Sequence, residues 1–291
     1  MIISDVHGDV IRSFDGTLLA TRCMGEGDRL PLLICNAIGA NLAPWKRVLV
    51  DVERERRIVT WDHRGLLGSG PPASDRLDAG AHAEDALAAL EHFGVEQFVV
   101  ASWSNGTRIA LEVADRNPDR VRGLVLVCGG FGHPLSRLLR YLELPSVFPL
   151  VAGVAKHFGA SLQAPFRALV ARPEIAGLIS QSGMVGPTAD NKLLIELLQG
   201  IATSDLRMLM AIYEAVAGDG GVELSAGIEA PTLVIAGERD PFTPNRLVGD
   251  MTASMRDARL EVYERATHYL PIEYPARLSD DMRRFFAALG V

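Results

Sequence analysis

The stretch VVASWSNGTRIA, residues 99–110, sets two serines either side of a tryptophan, and a serine becomes a nucleophile only where a base takes its proton. Phe98 to Ala101 read as a short buried strand, and Ile109, Ala110, Leu111 and Val113 as the apolar stripe of a helix. Both serines therefore fall on a strand-to-helix turn. A turn that sharp needs small residues two places before and two places after its apex. Ser104 has Ser102 and Gly106 there, whereas Ser102 has the bulky Val100, so Ser104 is the candidate nucleophile. A base and an acid must come from further along the chain. His268, in LEVYERATHYLPIEYP, follows the last strand-like run, and Asp240, in PTLVIAGERDPFTP, ends the strand before it. The chemistry these types could perform is acyl transfer: Ser104 attacks, His268 moves the proton, and Asp240 orients the imidazole. His63, His82, His92, His133 and His157 read instead as core, capping or solvated histidines. Trp103, beside the apex, fits two places equally: the wall of an acyl pocket or the packing beneath the turn.

Elements that could carry these residues recur along the chain. Two strands around FDG, near 9–15 and 17–23, predict a leading hairpin. Strand-like runs PLLICNAI, RIVTWD, QFVVAS, GLVLVCG, PTLVIAG and LEVYERA then alternate with helical patterns at 42–52, 81–93 and 108–117. The alternation predicts an α/β chain with a mainly parallel sheet covered on both faces, its carboxyl edge holding the candidate residues. Between His133 and Gly227 the rhythm stops. Helix-period stripes replace it, Leu135, Leu138, Leu139 and Leu142 in one and Leu194, Leu197, Leu198 and Ile201 in another. The expected organisation is a core of residues 1–132 and 228–291 with a helical cap, 133–227, inserted over the sheet edge. Leu138 and Leu142, with Trp103, are the candidate pocket residues, and Met208 and Met210 suit either an adaptable pocket or core filling.

With the elbow, GERD and ATH in this order and spacing, the chain resembles the α/β-hydrolase superfamily from the leading hairpin to the final helix ARLSDDMRRFFAAL. The resemblance implies an oxyanion hole made by the backbone N–H groups of Asn105 and Ile38. The loop that normally begins His-Gly reads NAIGAN here, with Asn36 in place of the usual histidine. That form is similar to the enol-lactonase and intracellular polyhydroxyalkanoate-depolymerase branches. The family's DxRGxGxS turn appears as DHRGLLGS, with Leu67 in place of a glycine. Serine rather than aspartate at the apex speaks against the dehalogenase and epoxide-hydrolase branches. The implied activity is hydrolysis of a small-molecule carboxylic ester with a short to medium apolar acyl group. A lactone hydrolase resembling 3-oxoadipate enol-lactonase and a polyester depolymerase are the alternatives, and a non-catalytic receptor on the same fold is a remote one.

Composition narrows the remaining classes. At 291 residues and 48% hydrophobic, the chain can build a real core. A net charge of -7 with no basic block gives no footprint for nucleic acid. Charges interrupt the N-terminal segment where a signal peptide would be apolar, and the run from Leu144 to Ala155 is too short to span a membrane and carries two prolines. Cys23, Cys35 and Cys128 lack metal-ligand spacing and read as buried free thiols, which fits a reducing cytoplasm. No metal and no cofactor are expected. Asp5 and His7 in ISDVHGD mimic the opening of the metallophosphoesterases, but the later elements that would complete such a site are missing, Asn-His above all.

Overall fold

A computed structural model describes residues 7–130, 161, 163–172, 174–217 and 221–291. Among the described residues seven strands form a single sheet: β1 (His7–Arg12), β2 (Leu18–Cys35), β3 (Arg56–Trp61), β4 (Phe98–Trp103), β5 (Val121–Val127), β6 (Thr232–Gly237) and β7 (Ala258–Tyr263). The leading hairpin is antiparallel, His7 pairing Cys23 and Arg12 pairing Leu18. β2 continues through a break in register after Met24 and returns as a second arm. Ile58 of β3 faces Met24 on one arm and Leu32 on the other, so β3 lies between them. From the second arm onward β4, β5, β6 and β7 are added in order, each parallel to the last.

Side chains of a strand alternate between faces, and here the alternation sorts the core into two layers. Leu33, Val100, Leu124, Leu126 and Val234 pack against α2 (Ala79–His92), α3 (Gly106–Arg116) and the later helix Asn245–Ser254. Leu32, Val99, Ala101, Val125 and Leu233 pack on the other side against Pro275–Ala288, through its Leu278, Met282 and Phe286. Ala-rich α2 begins at Asp78, whose carboxylate accepts from Ala81 N–H, a cap worth about 1 kcal/mol. The helix expected over 42–52 is broken into a 3-10 turn, Ala43–Trp45, with Pro44 accommodated in its first turn, and one α turn, α1 (Leu49–Val52).

Behind the sheet edge, the DHRG turn is fastened by the fully buried Arg64, which holds Asp85 through two N–H donors at 2.8 and 2.7 Å and Asp15 at 2.9 Å. Leu67, standing where the related motif has glycine, adopts φ +52°. Of the inserted region, the described helices include α4 (Glu174–Gln181), α5 (Asn191–Thr203), α6 (Leu206–Val216) and α7 (Gly221–Gly227). Leu194 packs with Val185 and Ile272, and Leu197 joins the layer beneath β4. Leu197 packs the helices between β5 and β6 against the sheet layer, and Leu194 packs them against Ile272. Leu135, Leu138, Leu139 and Leu142, like His133, His157 and Asp5, lie outside the described residues. Among the described residues no helix is long and apolar enough to cross a membrane.

Candidate active site

Ser104 follows the last residue of β4 with φ +57°, a left-handed conformation that costs a residue with a Cβ on the order of 1–2 kcal/mol. Two backbone bonds hold it there: its N–H donates to Val127 O at 2.9 Å, and its carbonyl accepts from Thr107 N–H at 3.0 Å. Gly106 is required for a different reason than the turn alone suggests. A Cβ at that position would lie 2.2 Å from Cys35 O and 2.5 Å from Asn36 O, so the helix start is pressed against the end of β2. The hydroxyl of Ser102 is engaged with Thr107 Oγ1 at 3.0 Å in a fully buried setting, away from the imidazole.

Three side chains from three strand ends meet in a line. Ser104 Oγ lies 2.8 Å from His268 Nε2, and His268 Nδ1 lies 2.8 Å from Asp240 Oδ2. The carboxylate can only accept, so Nδ1 carries the proton and Nε2 turns its lone pair to the serine. The loops that bear Asp240 and His268 are tied together, Glu238 N–H donating to Tyr263 O and Arg239 N–H to Ala266 O. Asp240 is capped by its own turn: Oδ1 accepts from Phe242 and Thr243 N–H at 2.8 and 2.9 Å, and Oδ2 from Thr243 Oγ1. Burial alone would raise the Asp240 carboxyl, but the His268 partner and the Thr243 donors prevail and hold it below the ordinary carboxylate range. The imidazole is walled by Phe242, with ring centroids 4.7 Å apart.

Trp103 lies beneath the turn. It is 3% exposed, shares the layer of Val99 and Ala101, and donates Nε1–H to His268 O at 2.9 Å. It thus braces the histidine from below. The loop after β2 is organised by Asn36, which donates to Ala40 O and Asn41 O and accepts from Ala37 N–H and Trp45 Nε1–H. Ile38 N–H, expected to serve the oxyanion, donates to Asn105 Oδ1 at 2.8 Å. Tyr213 of α6 reaches the same loop, its hydroxyl 3.4 Å from Ile38 O.

Phe242, Thr243 and Tyr213 were not singled out from the sequence. Thr243 carried a signal, since a threonine three residues after an aspartate can close a local turn on the carboxylate. Phe242 shares that turn, and Tyr213 arrives from α6. Cys128, Asp240 and His268 present ligand atoms within 4.8 Å of one another, among the described residues the group that could approach a metal. Burial and the Asp240 charge push the Cys128 thiol up, and Asp240 and His268 already spend their facing atoms on each other, so the set is arranged as a hydrogen-bonded line and not as an open ligand cage. A cleft of about 990 Å³ lined by Asn41, Lys46, Asp62 and Glu196 does not include Ser104, and its Arg22–Asp62 and Lys46–Glu196 charges are already paired.

The chain belongs to the alpha/beta hydrolase fold family, whose model matches residues 31–275. It is similar to 2-hydroxymuconate semialdehyde hydrolase of Pseudomonas sp. (strain CF600), 25% identical over 92% of this chain and 91% of that one. It also resembles 3-oxoadipate enol-lactonase 2 of Acinetobacter baylyi, 25% identical over 86% of each. Among solved structures, an esterase from Rhodococcus sp. ECU1013 superposes with a TM-score of 0.77 at 21% identity, covering 98% of this chain and 99% of that one.

Proposed function

We propose that this protein is a serine hydrolase of carboxylic esters working through an acyl-enzyme. The observation that carries the reading is the hydrogen-bonded line from Ser104 through His268 to Asp240, with the serine on a strained left-handed apex. In the first half-reaction Ser104 Oγ attacks the acyl carbon as its proton passes to His268 Nε2, and Asp240 stabilises the imidazolium without taking the proton. The carbonyl oxygen becomes an anion, received by the N–H groups of Asn105 and Ile38, a contribution of several kcal/mol. The alcohol leaves with the proton from His268. Water then repeats the sequence on the acyl-enzyme and frees the acid. No metal or cofactor enters this scheme. Residues 133–227 are read as the cap that selects the substrate.

A lactone substrate is the second reading, favoured by the similarity to an enol-lactonase and by the packing of Leu194 and Leu197, which hold the insertion in place rather than leave an apolar lining. Nitrophenyl esters from acetate to decanoate, with one lactone and one amide, separate the two. An optimum at medium chain length supports the apolar acyl pocket, since each buried methylene contributes up to about 0.8 kcal/mol. A decline from acetate onward, with turnover of the lactone, favours the second reading. Ser104→Ala is expected to lower kcat by about four orders of magnitude or more, and Ser102→Ala far less. Equal losses in the two variants would overturn the assignment of the apex.

A further inference from the structure

The reading above uses the backbone of Asn105 and leaves its side chain without a part. Ile38 is 1% exposed, and its N–H, the loop donor for the oxyanion, is directed at Asn105 Oδ1 at 2.8 Å. A carboxamide oxygen and an ester carbonyl oxygen are acceptors of one kind, neutral and trigonal, so the two compete for this donor. Among the described residues the other end of the carboxamide, Nδ2, is buried without a hydrogen-bond partner of good geometry, an arrangement proteins seldom leave in place. Beside it stands the Tyr213 phenol. Its hydroxyl donates only a long bond, 3.4 Å, to Ile38 O, and the Asn105 amide is near enough to offset part of the effect of burial on the phenol.

We propose that the Asn105 carboxamide is a stand-in for the substrate: in the empty site it satisfies Ile38 N–H and holds the oxyanion loop in shape, and the incoming acyl carbonyl displaces it toward Tyr213. The empty loop needs such an acceptor because a buried N–H without one is costly. In the displaced state Ile38 N–H serves the substrate oxygen, and Tyr213 O–H donates to Asn105 Oδ1 in place of its long bond to Ile38 O. Asn105 is then a positioning residue whose side chain acts through Ile38, and Tyr213 connects α6 of the inserted region to the readiness of the hole. The inference rests on the ester-hydrolase reading above.

A stand-in stabilises the empty enzyme more than the transition state, so removing it moves stability and turnover in opposite directions. A residue that merely props the loop would move both downward. The experiment measures kcat, KM and Tm with nitrophenyl butyrate for wild type, Asn105→Ala, Asn105→Leu, Tyr213→Phe, Asn105→Ala/Tyr213→Phe and Ser104→Ala. For Asn105→Ala, kcat/KM is expected to rise about three- to tenfold, the value of one neutral hydrogen bond, chiefly through a lower KM. Its Tm is expected to fall by about 1–3 °C. Tyr213→Phe should lower kcat/KM about three- to tenfold alone and leave it unchanged when added to Asn105→Ala. Loss of both kcat/KM and Tm in Asn105→Ala overturns the inference. If that variant does not fold, Asn105→Leu carries the same comparison, and full activity in Tyr213→Phe is by itself a refutation. A wild type that does not cleave the ester, or cleavage that survives Ser104→Ala, overturns the underlying reading and the inference with it. Cleavage that needs Ser104 but falls in Asn105→Ala overturns the inference alone.

Discussion

Asp240 is held by more than its histidine, and this sets what a single hydroxyl contributes. Thr243 Oγ1 donates to Oδ2, the oxygen that also accepts from His268 Nδ1, while Phe242 and Thr243 N–H anchor Oδ1. Thr243→Val keeps the shape and the main-chain donors but removes one bond to a charged oxygen, worth about 1.5–3 kcal/mol. The expected result is a kcat lower by about ten- to a hundredfold with KM changed less than twofold. Thr243 is among the groups that hold the Asp240 carboxyl down, so its loss raises that carboxyl toward the ordinary range. A kcat equal to wild type in Thr243→Val would show that the hydroxyl does not act through Asp240. At this scale the sequence was informative wherever chemistry constrains type and order. Serine at a small-residue turn, then aspartate and histidine after later strands, leave few choices. Trp103 was left between two places in the sequence, and the packed layer it shares with Val99 and Ala101 is what sets it under the turn. Thr243 and Phe242 were less legible, since a Thr or Phe after an Asp occurs in many turns that hold nothing.

Between elements, one buried carboxylate joins the histidine loop to the inserted region. Glu273, 4% exposed, ends the short helix Leu270–Glu273 and accepts from Thr267 N–H at 2.8 Å, from Thr267 Oγ1, and from Gly186 N–H at 2.7 Å. Thr267 precedes His268, so the clamp fixes the loop that presents the imidazole. Gly186 has to come close: a Cβ there would lie 3.0 Å from the Glu273 carboxyl carbon. Glu273→Gln turns one acceptor oxygen into an N–H₂ facing donors, and leaving such groups unpaired costs about 1–3 kcal/mol each. A Tm lower by several degrees and a kcat lower by about tenfold or more are expected, with Gly186→Ala giving a weaker version of both. If Glu273→Gln lowers Tm and leaves kcat untouched, the clamp serves the fold and not the histidine. The strands were legible as elements because their apolar runs are short and bounded by Gly, Pro and Asp. The doubling-back of β2 was not, since its break in register depends on β3 lying between the two arms, a long-range pairing with no local signature. Glu273 was hidden for the same reason: in the sequence it is one more charged residue near the C-terminus, and only the packed chain surrounds it with three donors.

For the molecule as a whole, the strongest unresolved polar cluster lies away from the serine, where the DHRG turn meets α2. His63 is 1% exposed and His82 fully buried, their ring centroids 5.1 Å apart, with Trp61 5.6 Å from His63. Among the described residues His63 Nε2, both ring nitrogens of His82 and Trp61 Nε1 have no hydrogen-bond partner. The charged groups around the pair are Asp62, Arg64 and Asp85, the last with a carboxylate oxygen 3.9 Å from His82 Nδ1. Burial lowers the His63 imidazole to about 4 despite the pull of Asp62, and it lowers His82 in the same direction, helped by His63 and Arg64. The unfolded chain takes up a proton at such a histidine once pH drops below about 6.5, while the folded chain does so only near pH 4. Across that window the unfolded state binds more protons, so stability falls as pH falls and levels off, for this group, below about 4. Between pH 7 and pH 5 the share of His63 is about 2 kcal/mol, with His82 adding to it. In His63→Phe, which fills the same space without a titrating group, the difference in urea-unfolding free energy between pH 7 and pH 5 should shrink by about that amount. A slope identical to wild type would mean that the folded protein protonates His63 as readily as the unfolded chain does, and that the pair is open to water.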